Sequence, residues 1–261
     1  MAKYYSDENI RRLADERANL RWRGLQLQQR CLEYHFKNET AKEFAIQGFA
    51  RRFSTLIKCI ENTFCTIPPD LDGVPGLDQT KDVAIQVRAF IFNLFGCLDN
   101  LTWVWVLERN ITKPDGTPLP PRSIGFDVTS VRNSLTQELR TLLDSFSDWF
   151  KYLKDYRHAL AHRIPLYVPQ FSIDHKSVDI YGDLERSIFD LIIQRNKAEA
   201  QVKRLEHDNL RFFQPCIVHS WTGRARPILF HVQMLTDLKT IEIIGAKLLD
   251  ELPRPSQTSE P

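Results

Sequence analysis

Ala89-Phe-Ile-Phe-Asn-Leu-Phe-Gly-Cys-Leu98 and, two residues on, Leu101-Thr-Trp-Val-Trp-Val-Leu107 are apolar around most of the circumference of a helix drawn through them. A surface helix keeps a polar stripe, so a segment lacking one is expected to be the central helix of a bundle. The length of the whole segment, about Leu77 to Arg109, favours helix over strand even where β-branched residues gather around Val104. Asp99 and Asn100 interrupt the run. A carboxylate taken out of water is costly unless paired, so Asp99 is expected to face a cation, a backbone donor or a cavity.

Working outward, helix-forming sequence extends in both directions. Ser6 and Asp7 can cap a helix that runs to about His35. In it Arg11, Arg12, Arg17, Arg21 and Arg23 interleave with Leu13, Leu20, Trp22, Leu25 and Leu27, which reads as a solvated basic face over a packed stripe, or as a phosphate-tracking surface. A second helix, about Glu39 to Phe64, contains Gly48, whose lack of a side chain suits close approach of a neighbour. Pro68 to Gly76 is a turn-rich connector, and Lys113 to Arg122 a proline-rich loop. Further helices are expected from about Thr129 to Leu143 and from Ser145 or Ser147 onward. Leu166 to Tyr181 alternates weakly, as short extended segments do.

Leu184, Ile188, Leu191, Ala198, Val202, Leu205 and Phe212 then recur in steps of three and four, a heptad seam interrupted by Arg195 and Asn209 and expected to be one long helix. Pro215 to His219 and Pro227 to His231, joined through Trp221-Thr-Gly-Arg, read as a small β-hairpin before a last helix, Gln233 to Leu252. The expected organisation is a single all-α domain over 6–252. It comprises N-terminal helices 6–65, a core bundle 77–212, the hairpin with the last helix 214–252, and a disordered tail 253–261.

Composition narrows the partners. Thirty-five basic against 33 acidic residues give a net charge of +2 and a pI near 8.2, so no global field draws the chain onto a polyanion or a membrane. Five cysteines without metal-type spacing fit reduced thiols, and no apolar run approaches the roughly 20 residues of a spanning helix. A cytoplasmic protein is expected.

The chemistry concentrates in Asp155-Tyr-Arg-His-Ala-Leu-Ala-His-Arg-Ile-Pro165. At about 100° per residue Arg157 lies beside the face of Leu153, Trp149 and Leu160, whereas His158 and His162 share the opposite, polar face with Lys151 and Asp155. Pro165 ends the helix, so the histidines project near a helix end. The His158–His162 spacing could grip a metal, but Ala159 stands where the zincin pattern has glutamate, and His175, His207, His219 and His231 are remote in sequence. No nucleophile elbow and no glycine-rich phosphate loop occurs, so neither metal nor cofactor is expected. Arginine with histidine suits holding a phosphodiester and moving a proton.

Arg157-His158-Ala-Leu-Ala-His162 resembles the Arg-polar-x-x-x-His motif of HEPN domains, and the resemblance spans about 80–210. It implies a HEPN-like bundle of four or five helices whose two copies build one metal-independent ribonuclease site across a homodimer, leaving 2′,3′-cyclic phosphate ends. It implies RNA as partner, with an unidentified activator or antitoxin as a further one. By carry-over Arg157 clamps the scissile phosphate, His162 is catalytic base or acid, and His158 orients or assists, with Asp99 and Asp155 supporting. The alternative is a HEPN-fold RNA-binding or scaffold module without catalysis. Toxin members of the family carry a tyrosine two residues after the last histidine, where this chain has Ile164.

Overall fold

The structure is a computed structural model that describes residues 3–162, 164–219 and 227–253, the side chain of His162 excepted. The fold is all-α, with two small antiparallel strand pairs among the described residues. The chain opens with α1 (Asp7–Ala18) and α2 (Leu20–Glu33), two helices where the sequence predicts one, because Asn19 closes the first at φ −94°, ψ −1°. Asparagine competes for backbone partners and so favours helix ends. Ser6 caps α1, its hydroxyl accepting from the Asn9 N–H at 3.3 Å.

α3 (Glu39–Glu43), a π-helical stretch Phe44–Ala50 and α4 (Arg51–Thr66) continue one another. α5 (Leu77–Glu108) follows the connector and runs through the core. By length and composition α5 could cross a membrane, yet more than half of its most apolar window is buried by other helices. α6 (Thr129–Ser134) and α7 (Gln137–Ser145) replace the one expected helix, since Leu135 is extended and Thr136 caps α7 by accepting from the Leu139 N–H at 3.2 Å. α8 (Ser147–His162) carries the motif.

The expected long heptad helix is instead a hairpin of α9 (Val178–Ile193) and α10 (Lys197–Asn209). Arg195 adopts φ 58° between them, and the Asn196 side chain caps α10 through the Glu199 N–H at 3.4 Å. The alternating segment before α9 supplies β1 (Ser172–Ile173), which pairs with β2 (Arg211–Phe212) and closes the base of this hairpin. β3 (Cys216–Ile217) and β4 (Ile228–Leu229) form the expected β-hairpin, whose Trp221-Thr-Gly-Arg turn lies outside the described residues, as does 254–261 of the tail. α11 (Phe230–Glu251) begins three residues earlier than the pattern suggests.

One apolar core draws side chains from α1 through α8 and from α11. Its close approaches depend on small residues: a Cβ on Gly48 would stand 2.8 Å from the amide of Asn100, and one on Gly96 2.7 Å from the Arg52 guanidinium. Gly48 therefore admits α5 as its sequence position suggests. In that seam Arg52 donates from Nε to Asn100 Oδ1 at 3.1 Å and from Nη1 to Asn93 Oδ1 at 3.2 Å, so these two amides within the apolar run are partnered. The N-terminal arginines act as clips: Arg21 pairs with Glu61, Arg23 with Glu242 and Arg30 with Asp250. Leu13, Leu20 and Leu27 are buried as expected, but Trp22 and Leu25 face solvent, because Leu20, Gly24, Leu27 and Cys31 make the packed stripe.

Two buried titratable groups pull stability in opposite directions. Burial raises the Asp237 carboxyl to about 7, and burial lowers the His231 imidazole to about 4 while its Nε2 lies 2.7 Å from the Ile67 carbonyl. A carboxyl raised from its ordinary value of about 4 costs the fold stability as pH climbs from about 4 to about 7. An imidazole depressed below about 6.5 contributes stability that is lost as pH falls from there toward 4. Asp237→Asn is therefore expected to steepen the rise of Tm between pH 4 and pH 6.5, as read by thermal unfolding across that range; a slope equal to wild type would contradict it.

Candidate functional site

The motif helix is oriented by its buried face. Leu153, Tyr156 and Ala159 are buried, and Trp149, Phe150, Tyr152 and Leu160 pack against the core beside them. Two of these side chains reach one carboxylate on α11: Trp149 Nε1 donates to Asp237 Oδ1 at 2.8 Å and the Tyr152 hydroxyl to Oδ2 at 3.1 Å. Gln233 Nε2 adds a third bond at 2.7 Å. Asp237 is 1 % exposed, so the three donors satisfy a carboxylate that would otherwise be strongly unfavourable there. Its sequence surroundings do not announce it; the signal is an aspartate within the apolar face of the last helix.

With that face fixed, Arg157 is half-buried against α5. Its guanidinium lies over the Phe95 ring, 5.0 Å from the centroid, a cation–π arrangement. Asp99, one turn further along α5, is half-buried too. Burial pushes its carboxyl above the ordinary range, the Arg157 and Arg52 guanidiniums pull it back, and Asp127 opposes them. Asp99 thus faces cations and a cavity at once. That cavity, of about 510 Å³, is lined by Phe95, Asp99, Phe126, Asp127, Phe150 and Lys154 among others, and Lys154 pairs with Asp127 at 3.5 Å on its rim.

The polar face is where the sequence places it. Lys151, Asp155 and His158 are exposed on the side of α8 away from Leu153. The backbone of His162 ends the helix; its side chain and the whole of Arg163 lie outside the described residues. Past Pro165 the chain is held down: Leu166 is fully buried, its carbonyl accepts from Arg88 Nε at 2.7 Å, and Tyr167 exchanges both backbone bonds with Val218, at 2.9 and 3.0 Å.

That bridge brings in a histidine absent from the sequence-based site. His219, remote in sequence, is buried beside α8 with Nε2 3.6 Å from Asp155 Oδ2, its ring edge-on to Tyr156 at 5.2 Å between centroids. Only the pairing of Tyr167 with Val218 puts it there, and no local pattern encodes that pairing. Of the residues read from the sequence, Arg157 acts on Asp99 through its charge, Asp155 instead meets His219, and His158 stands on the exposed side. Among the described residues no three His, Cys, Asp or Glu side chains converge as a metal site.

Comparison with protein-family models, with curated proteins and with solved structures finds no match for the chain. The site is therefore read from its chemistry alone. If Arg157 tunes Asp99, Arg157→Ala should move the Asp99 carboxyl to higher pH, as followed by carbon-detected magnetic-resonance titration. An unchanged Asp99 titration would show that the two groups do not communicate.

Proposed function

We propose that the chain is a HEPN-like endoribonuclease that works without a metal, as a cytoplasmic homodimer. The observation that carries the reading is the arrangement of α8, which holds an arginine at half burial on Phe95 and turns His158 outward near a helix end, the order of groups that the Arg157-to-His162 motif calls for. On this reading Arg157 binds the scissile phosphate and stabilises charge as the phosphorane forms. One histidine removes the ribose 2′-hydroxyl proton, the 2′-oxygen bonds to phosphorus, the bond from phosphorus to the 5′-oxygen breaks, and a second histidine protonates that oxygen. The products are a 2′,3′-cyclic phosphate and a 5′-hydroxyl. Histidine suits both steps because its ordinary pKa of about 6.5 keeps both forms present near neutrality.

His162 serves as base or acid and His158 as its orienter. Arg157 and His162 diverge by about 140° along one straight helix, so a second copy supplies the complementary group. Asp99 positions Arg157, and Asp155 steadies the opposite side. An RNA restriction, stress or defence role fits such an enzyme, with an activator or antitoxin as regulator. Free cysteines, four of the five buried, suit a reducing compartment.

A second reading has its own support: Arg157 already lies over the Phe95 ring inside its own chain and is close enough to the Asp99 carboxyl to act on it electrostatically. In that case the motif helps hold the bundle together, and the chain binds RNA or acts as a scaffold without cutting. Incubation of the purified protein with mixed-sequence RNA in chelator separates the two. Cleavage that ends in cyclic phosphate, and that falls about 100-fold or more in Arg157→Ala and in His162→Ala, is expected of the enzyme. Intact RNA, or cutting indifferent to both substitutions, would sink the nuclease reading. RNA retained in a binding assay without cleavage would favour the second.

A further inference from the structure

The cavity of about 510 Å³ beside the motif helix is formed by α5, α8 and the chain between Ile124 and Asp144. On α5 its wall is made by Phe95 and, one turn on, Asp99; on α8 it is made by Phe150 and Lys154, and Arg157 follows on the same stripe three residues later. Arg157 lies over the ring of Phe95, so its guanidinium stands against a wall of the cavity. The volume falls within the range of roughly 300–1,000 Å³ that holds small ligands.

Phe95, Phe126, Phe150, Leu98 and Leu143 give the cavity apolar walls. Four of the charges that line it are already matched, because Lys154 pairs with Asp127 at 3.5 Å and Arg132 pairs with Asp144. Asp99 is the lining acid left over, with neither an ion pair nor a hydrogen bond among the described residues. Burial disfavours its charge, while Arg157 and Arg52 favour it through their fields and leave its lone pairs unused. An ionised carboxylate only accepts hydrogen bonds. Apolar walls around one such acceptor fit a flat, neutral ring that presents adjacent N–H donors, and two of those donors would offset the burial of the charge. An organic cation is disfavoured as occupant, since Arg132 and Lys154 line the same cavity and Arg52 and Arg157 already act on Asp99.

We propose that this cavity receives the base of the nucleotide whose phosphate Arg157 holds, and that Asp99 selects guanine in it. The inference rests on Arg157 as the phosphate clamp of the proposed nuclease. Single-stranded RNA is commonly read in this manner, an unstacked base lying against aromatic rings while side chains hydrogen-bond its Watson–Crick edge. Guanine offers two adjacent donors on that edge, N1–H and the N2 amino group, and they match the two oxygens of one carboxylate. Adenine and cytosine put a ring-nitrogen acceptor beside their single amino donor, and uracil flanks its N3–H with two carbonyls. Each of these would set a lone pair against a carboxylate oxygen. A polar group left unpaired in such a site rejects the wrong ligand more strongly than a change of size does.

Nucleoside 5′-monophosphates share one phosphate and differ in base, so their binding to the full chain, read by calorimetry and by methyl magnetic resonance, tests the cavity separately from catalysis. Guanosine monophosphate is expected to bind about tenfold or more tighter than the adenosine, cytidine and uridine nucleotides, with inosine monophosphate, which keeps N1–H but lacks the amino group, in between. It should shift the methyl signals of Leu98 and Leu143, which line the cavity. Asp99→Asn, nearly the same shape, should abolish the preference for guanine, whereas Arg157→Ala should weaken all the nucleotides alike and keep their ratio. Equal affinity for every base, no binding at all, or a guanine preference that persists in Asp99→Asn overturns the proposal; the wild-type comparison decides it even where that variant does not fold. Guanine preference with RNA left intact upholds the pocket while the nuclease reading fails, and RNA cleavage without any guanine preference overturns the pocket alone.

Discussion

A carboxylate with no access to water, Asp237, is the constraint on which the functional face depends. Its two oxygens take bonds from Trp149 and Tyr152 of α8 and from Gln233 of its own helix. A buried carboxylate in this setting is tolerable only while its donors stay in place, so it acts as a rotational stop on α8. With Trp149 and Tyr152 turned inward, Leu153, Tyr156 and Ala159 must follow them into the core. Arg157 is then delivered to Phe95 and the polar edge with His158 is left outside. The site is in this sense a consequence of packing one turn and more away from it.

A second polar arrangement sets where α5 lies. Gly48 and Gly96 let Asn100 and Arg52 pass between α5 and the helix before it, and Arg52 then bonds both Asn100 and Asn93. The same arginine helps hold down the raised titration of Asp99. Core seam and candidate site therefore share a charge, and Asp99 reports on both. The hairpin of α9 and α10 belongs to neither arrangement. Neither its helices nor its base strands contribute a side chain to the buried apolar core, Phe213 just past β2 being the nearest member, which explains how it can keep an apolar surface without disturbing the bundle.

Much of this was legible from the residues alone. The circumferential apolarity of 89–107 identified the central helix, and the motif helix showed its two faces at the helical period. The proline-rich loop and the β-hairpin were equally plain. The features that no local pattern encodes depend on long-range pairing or on backbone conformation at ordinary residues. Arg195, one of the two residues that interrupt the heptad seam, turns the chain at φ 58° with no glycine or proline to mark it, so the pattern reads as one helix where there are two. Asn19 and Thr136 end or start helices that propensity alone would run through. Asp237 and His219 reach α8 only through tertiary contacts, Asp237 from the last helix and His219 through the bridge between Tyr167 and Val218.

The claim that the buried carboxylate fixes α8 is tested most directly by a double-mutant cycle in denaturant unfolding. One arm is Asp237→Leu and the other is Trp149→Phe combined with Tyr152→Phe. Because removing Asp237 orphans donors that the second arm has already removed, the effects should fall short of additive by about 2 kcal/mol. Additivity within about 0.3 kcal/mol would mean that the contact does not couple the helices, and the account of how α8 presents Arg157 would fail with it.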